Sequence, residues 1–181
     1  MNFYTGNGDD GKTGLLGKGR FSKANERFET LGAIDEASAA LGIARSMTRS
    51  SRFGEIILQV QRDLYAIMTE VASSSENREQ FHSITSEKVN WLEDMIAELS
   101  ADVIVPQGFI VPGDSQAGAF FDLARSIVRR AERRVVQLRS TGAIDNPELI
   151  RYLNRLSSLC FVLELLENVE AGKQIPTMAK E

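Results

Sequence analysis

The chain has one histidine, one cysteine, one tryptophan and four prolines among its 181 residues, and each scarcity closes off a class of chemistry. A lone cysteine, Cys160, cannot build a disulfide framework and fits a reducing compartment. Set in the apolar run Leu159–Cys160–Phe161, it reads as a buried, inert thiol. A lone histidine, His82, in a polar stretch leaves no Glu-x-x-His pairs for a di-iron bundle, no Cys/His cluster for zinc and no Ser–His–acid triad. No apolar run approaches the roughly 20 residues of a membrane span. The N-terminus MNFYTGNGDD shows no charged stretch followed by an apolar one, so no signal peptide is visible. The expected location is the cytoplasm, without a membrane partner. A net charge of −4 argues against general nucleic-acid binding, which calls for a basic domain. Aromatic residues are only 7% of the chain, whereas Ala, Leu, Glu and Arg are plentiful, which favours helices over sheets.

Hydrophobic residues make up 43% of the sequence, enough for one domain with a full core. Five segments carry apolar residues at helical spacing. The first, about 25–47, aligns Leu31, Ile34, Ala37, Leu41 and Ala44; the second, about 53–73, aligns Ile56, Val60, Leu64, Ile67 and Val71. A third, about 86–99, places Val89, Leu92, Ile96 and Leu99 together. The fourth, about 115–139, carries Phe120, Ala124, Ile127, Ala131, Val135 and Leu138. The fifth opens with Asn146 as N-cap and Pro147 as its first helical residue, and aligns Leu149, Leu153, Leu156, Cys160 and Leu163. The four prolines, at 106, 112, 147 and 176, stand outside these patterns or at their starts. A polar connector covers 73–83, and a Pro/Gly loop with an apolar centre covers 106–114. The expected architecture is an all-α five-helix bundle forming one domain over 1–181. Within it, 1–24 is a Gly-rich nucleotide loop, 25–171 the bundle, and 172–181 a patternless, mobile tail.

Six of the fourteen glycines fall between residues 6 and 19, and Gly6–Thr13 fits G-x-x-x-x-G-K-[ST], the P-loop pattern. The context does not fit a P-loop fold. Only five residues precede Gly6, too few for a central strand, and the helices downstream leave no parallel sheet to join. Two readings stay open: a flexible glycine-rich arm, or a phosphate-binding loop that uses exposed N–H groups in the same physical way.

Six arginines and no lysine occupy positions 125–139. At 100° per residue, Arg125, Arg129 and Arg133 share one face with Glu132 beside them, and Arg130 and Arg134 sit further round. A solvated charged face is the plain reading. Arg is also favoured for planar, bidentate recognition of phosphate, so three stacked guanidinium groups would suit an elongated polyanion such as triphosphate, with Glu132 able to hold one of them in place. Asp35, at the edge of the first apolar stripe, reads as half of an ion pair. Asn154, beside the fifth stripe, reads as a satisfied polar residue between helices.

Together, YTGNGDDGKTGLLG with Lys23, GAIDEASAALG, FIVPGDS, ARSIVRRAERRVVQL and NPELIRYLNRLSSLCFVL resemble one family over nearly the whole chain. It is that of the ATP:cob(I)alamin adenosyltransferases of the propanediol-utilisation and human mitochondrial (PduO-like) type. The resemblance implies transfer of the 5′-deoxyadenosyl group of ATP to the cobalt of cob(I)alamin, in a homotrimer with active sites between subunits. It implies that Thr5, Gly6, Asn7, Gly8, Thr13, Gly14 and Lys23 bind ATP with Arg129, Arg130, Glu132, Arg133 and Asn154 of a neighbour. Asp35 and Arg125 match an intersubunit salt bridge near the corrinoid, and Phe109 matches the apolar residue that closes the lower face of cobalt. Arg129, Arg133, Asp35, Arg125 and Phe109 would then carry the catalysis. Mg²⁺ would be held by ATP phosphates and water rather than by dedicated side chains. A corrinoid reductase and an adenosylcobalamin-dependent enzyme are the implied protein partners.

The chain also departs from the family pattern. Gly6 and Asp10 stand where Arg or Lys and Lys are usual, Asp114 replaces the second glycine of a Pro-Gly-Gly turn, and Ser158 occupies a position that is often acidic. Gly6 and Asp10 keep open a second reading, a non-catalytic adenosylcobalamin or nucleotide carrier. A third is a purely structural helical oligomer.

Overall fold

In the computed structural model, which describes residues 3–74 and 76–180, the five apolar stripes become five α-helices. They are α1 (Glu26–Met47), α2 (Ser51–Ala72), α3 (Ser86–Ser100), α4 (Gln116–Ser140) and α5 (Glu148–Glu170). Met1, Asn2, Ser75 and Glu181, parts of the expected loop, connector and tail, lie outside the described residues. Local chemistry sets the helix starts. The side-chain oxygens of Asn25, Ser50 and Ser115 accept the N–H groups of Arg27, Phe53 and Gly118 at 3.0, 3.3 and 3.0 Å. Each satisfies an amide that has no partner within its helix. Asn146 accepts the N–H of Glu148 at 3.0 Å, and Pro147 already has helical φ −71° and ψ −22°, as the Asn-Pro reading expects.

Short turns join α1 to α2 and α4 to α5, so the helices of each pair run antiparallel, while longer segments lead into and out of α3. Helix α4 packs against both α1 and α5, and α3 covers another side of α5. Helix α5 is the centre of the bundle. Besides its expected stripe, every residue from Val162 to Asn168 is buried, in a helix held between α3 and α4. Glu164, Glu167 and Asn168 break the apolar pattern there, which is why the sequence reads as a single stripe. Helices α4 and α5 approach closely at Gly118, where a Cβ would lie 2.6 Å from Ser115 Oγ and would collide with the side-chain oxygen of Asn168. On α4 the buried face runs through Phe121, Ala124, Val128, Ala131, Val135 and Leu138. Phe120 and Ile127, expected in that stripe, sit half-buried at its border.

A polar junction ties three helices together. The Asp63 carboxylate on α2 is 2% exposed and accepts Tyr152 Oη of α5 at 2.9 Å and Lys88 Nζ of α3 at 2.7 Å. Gln59 Nε2 donates to the same group at 3.2 Å. Burial, with Asp63 adding to it, holds the Tyr152 phenol well above its ordinary pKa.

Two features escape the helical pattern. Strands β1 (Lys12–Gly14) and β2 (Arg20–Ser22) pair antiparallel, Thr13 opposite Phe21, and turn the glycine segment into a hairpin. No parallel sheet backs it among the described residues, so a P-loop fold is excluded. The C-terminal residues, expected to be mobile, are bonded to the 106–114 loop. Val111 N–H donates to the Thr177 carbonyl and Ala179 N–H to the Phe109 carbonyl, both at 2.8 Å, around an antiparallel bridge of Ile110 and Met178. With Thr177 N–H also bonded to the Asp114 carboxylate, 63 residues away, these contacts lie beyond the reach of any local pattern. Among the described residues no helix is long and apolar enough to cross a membrane.

Candidate functional site

The glycine hairpin sits where α1 begins and α2 ends. Leu16 docks it there, donating to the Ala72 carbonyl at 2.8 Å and accepting from Ser74 N–H at 3.1 Å. Thr5, Gly6, Asn7, Gly14 and Lys23 are exposed, Gly8 and Thr13 partly so. Gly6 has φ +70°, a conformation that Arg or Lys would adopt only with strain, so glycine suits this turn. Lys23 Nζ donates to the Gly8 carbonyl at 2.8 Å, which brings the expected cation onto the loop. Asp10 does not leave a bare negative charge. Arg20, which sequence reasoning passed over, grips it through Nη1 and Nη2 at 2.9 and 2.8 Å. Nη2 also bonds the carbonyl oxygens of Lys12 and Asn7. The Arg20 hydrogen bond, followed by the Lys12 N–H, lowers the Asp10 carboxyl pKa. An arginine opposite an acid in one glycine-rich segment was the available signal.

On α4, Arg129, Arg130 and Arg133 are exposed, and Arg125 and Arg134 half-buried. Arg130 pairs with Glu36, and Arg134 lies 3.8 Å from Glu29, both glutamates being on α1. Arg130, Arg133, Arg134 and Gln137 line a groove of about 340 Å³. Among the described residues Glu132 pairs with no arginine. It accepts Asn154 Nδ2 at 3.0 Å, so Asn154 is the satisfied interhelical residue its position indicates. Asn154 Oδ1 in turn accepts Arg155 Nη1 at 2.8 Å, and Arg155 Nε donates to Glu93 at 2.8 Å. This chain of contacts fixes Glu132 and Asn154 beside the exposed arginines. Arg155 and Glu93 were not legible, because their helices pair only in the fold.

Between α3, α4, α5 and the loop after α3 lies a cleft of about 710 Å³. It brings together Phe109, Arg125 and Arg129 from the expected set, and adds Asp122, Ser158 and Phe161. Phe109 stands at its rim, 90% exposed. Arg125 is paired inside the chain with Asp122, Nη2 at 2.7 Å and Nε at 2.8 Å. Asp35, its expected partner from another subunit, is exposed on α1. Near these charges on α5, Glu164 is fully buried, and neither carboxylate oxygen has a hydrogen-bond partner among the described residues. Burial, with Asp122 adding and Arg125 opposing, pushes its pKa up to about 7. Cys160 is buried as expected, its thiol pushed up to about 12 by desolvation.

No hairpin residue lines the cleft. Within one chain the loop at the α1/α2 end and the arginine-edged cleft between α3, α4 and α5 are therefore separate surfaces. Among the described residues no group of three or more His, Cys, Asp or Glu side chains is placed to hold a metal ion.

Residues 3–167 match the sequence profile of a family described as Cobalamin adenosyltransferase. The chain is 35% identical over 176 residues to a corrinoid adenosyltransferase of Bacillus subtilis, covering 95% of this chain and 89% of that protein. It is 36% identical over 172 residues to the corrinoid adenosyltransferase PduO of Citrobacter freundii, covering 94% of this chain but only 51% of that longer protein. Its fold is similar to a variant PduO-type ATP:corrinoid adenosyltransferase from Lactobacillus reuteri solved with cobalamin and ATP. The TM-score is 0.86 at 27% identity, covering 99% of this chain and 100% of that one. A second variant of that protein, solved with ATP, gives 0.88 at 28% identity over 98% of this chain and 100% of that one. The chain belongs to the cobalamin adenosyltransferase family.

Proposed function

We propose that the chain transfers the 5′-deoxyadenosyl group of ATP to the cobalt of cob(I)alamin, giving adenosylcobalamin and triphosphate. The observation that carries this reading is the large cleft, apolar at its rim through Phe109, with the Asp122–Arg125 ion pair and the Arg129 charge along its α4 wall. The Co(I) electron pair attacks C5′, the Co–C bond forms, and the C5′–O bond breaks with its electrons leaving on triphosphate. So strong a nucleophile needs no general base, which suits a chain with one histidine remote from the cleft. What the protein supplies is fixed positive charge where the leaving group becomes more anionic, from Arg129 and Arg133 on one side and Lys23 on the other. Glu132 and Asn154 would position the nucleotide beside them, and Arg130 would add its charge as the Glu36 pair opens. Mg²⁺ would neutralise part of the triphosphate charge, held by phosphate oxygens and water.

Phe109 would exclude a lower axial ligand, since four-coordinate cobalt is easier to reduce to Co(I). Asp35 of one subunit would meet Arg125 of the next at the corrinoid, in a trimer whose active sites join the loop of one chain to the arginines of another. The separation of the two surfaces within one chain supports that arrangement. Naming the segments 1–24 a nucleotide loop and 25–171 a bundle follows the same reading. A carrier without synthesis is not favoured, because the relatives are adenosyltransferases.

Anaerobic incubation with ATP, Mg²⁺ and chemically reduced cobalamin tests the proposal. The absorbance change of Co–C bond formation, with release of triphosphate, is the expected result. Bound ATP without that change would reject transferase activity and revive the carrier.

A further inference from the structure

We propose that residues 173–179 are a strap that positions the Phe109 loop over the cleft, and that Asp114 is its latch. The inference rests on the reading of Phe109 as the residue closing the lower face of the corrinoid. Phe109 is 90% exposed, so side-chain packing does not fix it. Its backbone is fixed instead. The Phe109 carbonyl accepts Ala179 N–H and the Val111 N–H reaches the Thr177 carbonyl, both at 2.8 Å, bracketing the aromatic residue in a short antiparallel ladder. Met178 packs over the preceding residue, its Cε 3.3 Å from where a Cβ on Gly108 would stand.

Asp114 closes the arrangement. Its Oδ2 accepts Thr177 N–H and its Oδ1 the Thr177 hydroxyl, each at 2.7 Å, and Lys173 Nζ lies 3.7 Å away. The strap is tied to α5 through Lys173 and, through Thr177 and Asp114, to the residue before the cap of α4. Lys173 N–H donates to the Asn168 carbonyl at 2.8 Å at the end of α5. Asp114 immediately precedes Ser115, the N-cap of α4, the helix that bears Arg125 and Arg129. A glycine at 114, the residue usual in the pattern this chain resembles, would provide no carboxylate.

The strap is a positioning element and touches no reacting atom, so its test pairs a backbone readout with a kinetic one. Asp114→Ala removes the latch, and Ala179→Pro deletes the single N–H bonded to Phe109 at an exposed position. Asp114→Asn, which keeps an acceptor for the Thr177 hydroxyl, serves as the conservative rescue. In the full chain both disruptive variants should speed amide exchange across 108–112 by about fivefold or more. Turnover starting from cob(II)alamin should fall by about tenfold, with KM for ATP unchanged and less loss from pre-reduced cob(I)alamin. With ATP bound, the four-coordinate Co(II) signal in electron paramagnetic resonance should shrink, and Asp114→Asn should recover part of each effect. Unchanged exchange in both variants overturns the strap, as does faster exchange with wild-type turnover and Co(II) signal. Phe109→Ala run alongside separates the two ideas. If that variant keeps the wild-type Co(II) signal, the reading of Phe109 fails whatever the exchange data say. If it loses the signal while Asp114→Ala keeps it, the strap alone fails.

Discussion

Glu164 brings both carboxylate oxygens into the bundle without a hydrogen-bond partner among the described residues, and burial lifts its pKa from 4.5 to about 7. A carboxyl with a raised folded pKa keeps a proton that the unfolded chain has already lost. The folded state is therefore favoured most below about pH 4.5, and stability drains away as pH rises from there to about 7, where the loss levels off. At ~1.4 kcal/mol per pKa unit the loss is about 3 kcal/mol by pH 8. Glu164→Gln should abolish this fall, melting with the wild type at pH 5 and above it at pH 8. A wild-type slope in the variant would mean that another group titrates. The cleft residues make separable demands. Phe109→Ala should slow turnover from Co(II) while leaving KM for ATP unchanged. Arg125→Ala should weaken corrinoid use more than ATP use, and equal losses, read from the two KM values, would contradict its assignment. Arg125, Arg129 and Phe109 were legible because type and motif mark them. Asp122 and Glu164 were not, since an acid three residues before an arginine and another on a core helix carry no signature until the helices pack.

Among the elements, helices were the legible part. Apolar periodicity places all five, because each encodes its own buried face, and Asn146-Pro147 marked the start of α5. The hairpin was not readable, for strands of three residues such as Lys12–Gly14 and Arg20–Ser22 are too short to alternate. The C-terminal ladder was equally hidden, its partner being a distant loop. What joins the helices is also non-local: Asp63 reaches Lys88 on α3 and Tyr152 on α5. Asp63→Ala would strand a buried phenol and leave the Lys88 ammonium without its counter-charge, a cost of about 3 kcal/mol. Urea unfolding should report that loss as a lower midpoint with little change in slope. A cost below about 1 kcal/mol would put the junction in the class of exposed ion pairs.

At the scale of the whole molecule, the hairpin and the arginine-edged cleft lie apart in one chain, so a shared site needs two chains. This makes a complementation test decisive. Chains carrying Lys23→Ala and chains carrying Arg129→Ala should each be nearly inactive alone, the latter by about 100-fold in kcat. Mixed by refolding or coexpression in equal amounts, they should regain about a quarter of wild-type activity, because one interface in four unites an intact loop with an intact arginine face. Activity no greater than that of either parent would place loop and arginines in the same chain. The sequence resemblance named this arrangement, but composition and periodicity did not: nothing local records which surfaces meet between copies.

The buried Cys160 offers a practical opening. With its thiol pKa near 12, roughly one molecule in ten thousand is thiolate at pH 8, and the core shields even that. A chain without a competing reactive thiol is a clean background for placing a spin label wherever a new cysteine is introduced. A label at Ile175, which is 73% exposed, would ride on the C-terminal segment. The unpaired electron of Co(II) supplies the second spin, so dipolar spectroscopy would read the separation of strap and metal before and after ATP is added.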